Sequence, residues 1–102
     1  MCGAVFAELT ALPGLTVHLL DQLLADAHIE VEWRFDEPIW RAAGLAFAEY
    51  AIRRRKNRSG TPRRILADFL IGAHAAVKEY SLLTLDDGLY RAAFPKLQLV
   101  QP

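Results

Sequence analysis

Glu8, Asp68, Asp86 and Asp87 are the side chains whose types and setting could do chemistry. Asp68 lies inside the apolar run "ILADFLIGAHAAV", and Asp86 and Asp87 directly follow "SLLTL". A carboxylate in apolar surroundings is costly unless it is paired, hydrogen-bonded or bound to a cation. Carboxylates gathered within a few ångström repel one another, and a divalent cation removes that penalty. A site of oxygen donors without Cys or His suits Mg²⁺ or Mn²⁺ better than zinc. Such an ion can orient a water and neutralise charge on a phosphodiester in its transition state. Each acid also has an ordinary reading. Asp68 would favour the positive end of a helix, Asp87-Gly88 would form a turn, and Glu8 would sit on the surface of a short helix.

Shared chemistry requires elements that bring these acids together. "CGAVF" predicts a short strand running into a helical turn, "AELTAL", that contains Glu8. "LTVHLLDQLLADAH" has apolar residues at helical spacing. "IEVEWRF" alternates, with Ile29, Val31, Trp33 and Phe35 on one face, which predicts a half-buried strand near an edge. "DEPIWRAAGLAFAEYAIRRR" predicts a helix, with Asp36 as N-cap and Pro38 in a first turn that tolerates it. "KNRSGTP" reads as a loop, and a second long helix is predicted from Ile65 to Lys78. "SLLTL" predicts a buried strand, "DDG" a turn, "LYRAAFP" a short helical turn and "LQLV" a last strand.

Alternating strands and helices imply an α/β fold with a mainly parallel sheet. In such sheets, sites form beyond the carboxyl ends of the strands. Glu8 and Asp86 should both lie there. The helix from Ile65 and the strand that follows it each span roughly 18 Å, at about 1.5 Å and about 3.3 Å per residue. The start of that helix should therefore meet the end of that strand, making Asp68 and Asp86 neighbours. Three acids from distant segments would then share one edge.

The 102 residues suit a single domain over residues 1–102, and 53% apolar with 24% charged residues is a globular composition. A formal net charge of zero gives no overall field to attract nucleic acid. Charge is nonetheless concentrated: of 12 basic residues, Arg53, Arg54, Arg55, Lys56, Arg58, Arg63 and Arg64 fall in one stretch. This block would make a local phosphate-binding face; a solvated helix end and loop has the same composition. The single cysteine, Cys2, allows no internal disulfide, reads as a small buried residue and fits a reducing cytoplasm. No apolar run approaches the roughly 18 residues that span a bilayer, so no membrane role is expected. His74 reads as a packed histidine, His18 and His28 as surface residues, and Trp33, Trp40, Phe47 and Tyr50 as core.

The segments "GAVFAEL", "RRILADFLIGAHA" and "LLTLDDGLYRAAFPKLQLV" resemble those of PIN domains, and specifically of VapC-type toxins of bacterial type II toxin–antitoxin pairs. The resemblance runs along essentially the whole chain and implies a three-layer PIN-like fold. It also implies an endoribonuclease dependent on Mg²⁺ or Mn²⁺, acting on RNA, restrained by a cognate antitoxin and forming homo-oligomers. It carries Glu8, Asp68 and Asp86 onto the family's metal-binding catalytic acids. Thr84 matches the Thr or Ser two positions before the last acid, on the substrate side, where Arg54, Arg55 and Lys56 would hold the RNA backbone. The family opens with a strand ending in an Asp-Thr/Ser-Asn/Ser motif, which this sequence lacks, so the chain is expected to begin at the family's second strand. A catalytically impaired, self-associating or antitoxin-binding module is the alternative this departure implies.

Overall fold

Residues 2–6 turn into a helix where the sequence predicts a strand. The computed structural model describes residues 1–56 and 64–102. They form two units, Met1–Arg34 and Phe35–Pro102.

In the first unit, Cys2 makes a single parallel bridge to Glu32. The Gly3 N–H donates to the Glu32 carbonyl at 3.0 Å and the Glu32 N–H to the Met1 carbonyl at 2.8 Å. The chain then bends at once into α1, Gly3–Leu9, with the Val5 and Phe6 N–H groups returning to the Cys2 carbonyl. Ala, Glu and Leu favour this helix, and the pairing partner supports no longer strand. The Cys2 side chain is buried, as expected. Helix α2, Val17–Asp26, matches its apolar spacing and starts at Thr16, whose Oγ1 accepts the Leu19 N–H.

The alternation of residues 29–35 also gives no strand beyond the Glu32 bridge. Ile29 and Trp33 are exposed, Trp33 by 64%, so the apolar set shares no buried face. Trp33 instead covers Gly3 and meets the Phe6 ring edge-on at 4.9 Å. Side chains of this alternating segment find local aromatic partners rather than a neighbouring strand.

The second unit comprises α3 (Glu37–Lys56), α4 (Leu66–Val77), β1 (Leu82–Leu83), α5 (Asp87–Ala93) and β2 (Leu99–Val100). Asp36 directly precedes α3, and its carbonyl accepts the Ile39 and Trp40 N–H groups. Ile39, Ala43 and Ala46 recur at helical spacing and are buried, which lets α3 pack closely on α4. Phe69 of α4 is fully buried between Phe47 at 5.1 Å and Tyr50 at 5.3 Å. Leu89, Tyr90 and Phe94 close the core from α5 and the residue after it. His74 is buried, as expected, with its ring beside Phe35 and Tyr80. Trp40 departs from its core reading: it is half exposed and donates its Nε1–H to the Phe35 carbonyl.

β1 and β2 pair in parallel, Leu82 with Leu99 and Leu83 with Val100. "SLLTL" is thus a two-residue strand rather than a buried five-residue one. Leu82 and Leu99 pack on the core, while Leu83 and Leu85 are 65% and 86% exposed. A pair of this length supplies too few ladder bonds to extend the strand. The predicted "DDG" turn is also displaced, because Asp87 and Gly88 form the first turn of α5. The predicted α/β class stands in reduced form, with helices dominating and a small parallel sheet. Most of the loop "KNRSGTP" lies outside the described residues. No helix among the described residues is long and apolar enough to cross a membrane.

Candidate functional site

Arg64 forms the centre of the candidate site, although the sequence presents it only as the last member of a basic block. It sits one residue before the N-cap of α4, and its N–H donates to the Tyr50 hydroxyl of α3 at 2.7 Å. Its guanidinium faces Asp86, with Nη1 2.6 Å from Oδ2 and Nη2 3.4 Å from Oδ1. Residues just before α4 and just after β1 therefore meet, as expected, although β1 itself is only two residues long.

Asp68 stands in the first turn of α4, where Oδ2 accepts the Ile65 N–H at 3.3 Å. This contact satisfies one main-chain donor at the helix start, and the negative charge suits the positive end of the helix. The structural reading of Asp68 is thus realised. Thr84 accepts the Asp86 N–H through Oγ1 at 3.0 Å, while its own N–H continues the β1–β2 ladder to the Val100 carbonyl. Thr84 therefore ties the turn bearing Asp86 to the sheet. Asp87 contacts Arg91 at 3.3 Å and accepts from Gln101 at 3.2 Å, a structural part at the head of α5.

Glu8 is exposed on α1 in the first unit, beyond the middle of a helix rather than at the end of a strand. Arg54, Arg55 and Lys56 are exposed in the last turn of α3, where the negative helix end favours cations. Arg58 and Arg63 lie outside the described residues. Among the described residues, no group of three or more His, Cys, Asp or Glu could hold a metal ion. By donor type, Asp68 and Asp86 suit a hard divalent cation; by arrangement, both oxygens of Asp86 face the Arg64 guanidinium.

A cleft of about 590 Å³ opens elsewhere in the second unit, between the C-terminal end of α4 and residues 93–98, with Glu79, Tyr80 and Lys96 among its walls. None of the candidate acids lines it. The one sequence signal for Arg64 is position: in the basic block it is the residue nearest to Asp68 and to the start of the helix.

The family model for the PIN domain matches residues 1–95. No curated protein matches the chain, and no solved structure does.

Proposed function

The chain belongs to the PIN-domain family, whose members are generally metal-dependent nucleases, and from that premise we propose that it is an endoribonuclease toxin of a toxin–antitoxin pair. The meeting of the α4 start with the residue after β1, made by the Arg64–Asp86 contact, supports this reading most directly. Asp68 and Asp86 offer hard oxygen donors there. Mg²⁺ or Mn²⁺, when bound, supplies a polarised water and neutralises charge on the phosphodiester. The chain's own residues hold and orient. Thr84 Oγ1 fixes the main chain at Asp86, and Arg54, Arg55 and Lys56 attract the phosphate backbone. In the net reaction, water adds to phosphorus and one P–O ester bond breaks.

End-labelled RNA incubated with purified protein tests the proposal. Cleavage should require Mg²⁺ or Mn²⁺ and stop on chelation. Intact RNA at saturating cation, or cleavage indifferent to chelator, overturns it. A cognate antitoxin, as the proposed partner, should relieve growth arrest when the two are expressed together.

The basic turn of α3 should govern RNA affinity rather than chemistry. Neutralising Arg54, Arg55 and Lys56 together removes up to three phosphate contacts. The slope of log K against log salt should then flatten by about 2 for a single strand. An unchanged slope in a binding titration would leave those side chains only their helix-end role.

The exposed leucines favour a second reading, a self-associating module. Leu83 and Val100 are partners in register, exposed by 65% and 43% on one face of the parallel pair, and Leu85 follows at 86%. Parallel sheets are ordinarily covered on both faces. Light scattering should give a mass of two chains or more, and Leu83→Glu with Leu85→Glu should return a monomer. A monomeric wild-type chain at high concentration overturns this reading and leaves the nuclease proposal standing.

A further inference from the structure

We propose that Arg64 is an internal counter-ion that competes with a divalent cation for Asp86 and thereby sets the cation affinity of the site. The inference rests on the reading of Asp68 and Asp86 as cation ligands.

The guanidinium engages both carboxylate oxygens of Asp86, at 2.6 and 3.4 Å. A carboxylate reaches Mg²⁺ or Mn²⁺ through these same oxygens, at roughly 2.0–2.2 Å for the smaller ion. A guanidinium and a doubly charged ion cannot occupy that position together, so the two are alternatives. The main chains that carry the contact are held on both sides. The Arg64 main chain is held by the Tyr50 hydroxyl, and the Tyr50 ring packs on buried Phe69. The next residue, Ile65, donates to Asp68. Asp86 is fixed from its other side by Thr84 Oγ1. The Arg64 and Asp86 side chains are 29% and 41% exposed, so the guanidinium has a route into solvent while both main chains stay in place.

The same exposure bounds the effect. Water competes for a partly exposed ion pair, which is therefore weak, and Arg64 should lower cation affinity several-fold rather than abolish binding. The asymmetry of the fork, with one short and one long contact, points the same way.

Mn²⁺ binding, read from the electron paramagnetic resonance of the free ion, tests this directly. Arg64→Gln should bind Mn²⁺ about five- to tenfold more tightly than wild type. Arg64→Lys, which keeps a charge but cannot fork onto two oxygens, should fall between them. Adding Asp86→Asn to Arg64→Gln should remove the gain. The unaltered chain offers a second measurement that needs no variant to fold. Titration with Mg²⁺ should shift or broaden the ¹⁵N-labelled Arg64 guanidinium resonances along the same curve as cation binding. Equal or weaker Mn²⁺ affinity in Arg64→Gln, with Asp86→Asn still lowering affinity, overturns the competition and leaves the cation site intact. Mn²⁺ affinity unmoved by both Asp68→Asn and Asp86→Asn overturns the competition together with the site.

Discussion

Asp68→Asn should reduce RNA cleavage at saturating Mg²⁺ by about 10²-fold or more, the scale on which loss of one preorganised electrostatic partner acts. The substitution preserves shape and removes the charge that would hold the cation. Its effect on folding should be small, because Asn retains a side-chain oxygen that can accept the Ile65 N–H now bonded to Asp68 Oδ2. What is lost is the attraction between a carboxylate and the positive end of α4, about 0.3–1 kcal/mol. A 10²-fold rate loss corresponds to about 2.7 kcal/mol, so the two effects separate clearly. Asp68→Ala is the useful contrast: it also removes the acceptor, which at a helix start costs about 1 kcal/mol. Cleavage at the wild-type rate by a folded Asp68→Asn protein would reduce Asp68 to its capping role. Equal cleavage but lower stability in Asp68→Ala would establish that role alone.

Gly72→Ala should destabilise the fold, against the preference of helices for alanine. Gly72 lies in the middle of α4, where Ala is ordinarily favoured by about 1 kcal/mol. A Cβ at this position would collide with Phe94 Cε2, stand 2.7 Å from Phe94 Cδ2 and 3.0 Å from Tyr90 Cδ1. Both rings belong to the buried core, with Tyr90 5% and Phe94 9% exposed, so neither can move aside into solvent. Overpacking of this kind costs about 1–3 kcal/mol, and contacts this close belong at the upper end. The net loss should be about 1–2 kcal/mol, read as a lower urea midpoint with an unchanged slope. A midpoint equal to or above that of wild type would mean that α4 and α5 separate readily. Gly44 of α3, where an added Cβ meets nothing within 4 Å, is the internal control: Gly44→Ala should raise the midpoint.

The long helices were legible because their signals are local. The apolar spacing of α2, that of Ile39, Ala43 and Ala46 in α3, and the run from Leu66 to Val77 each specify a helix without reference to distant parts of the chain. The packed histidine, the buried cysteine and the meeting of the α4 start with the segment after β1 were accessible too, the last because a helix that crosses a sheet is followed by a chain that returns beside it. The strands were legible only in part: "SLLTL" and "LQLV" contain the parallel pair β1 and β2, but neither the strand lengths nor the two N-terminal strands were readable. Alternation in residues 29–35 and apolar content in residues 81–85 describe what a strand tolerates, whereas a strand exists only if a partner supplies its hydrogen bonds. Cys2 finds one partner residue in Glu32, and Leu82–Leu83 find only Leu99–Val100.

For the candidate site, the sequence by itself determined which carboxylates lie within or beside apolar runs, and that a basic block precedes one of them. The tertiary structure decided how those charges pair. It placed Arg64 of that block on Asp86, gave Asp68 the Ile65 N–H, and assigned Asp87 to the head of α5 beside Arg91 and Gln101. Composition fixes the inventory of charges, but each pairing depends on side-chain reach across the meeting point of α4 and β1, a distance set by the packing of α3, α4 and α5 around Phe69 and not by spacing along the chain.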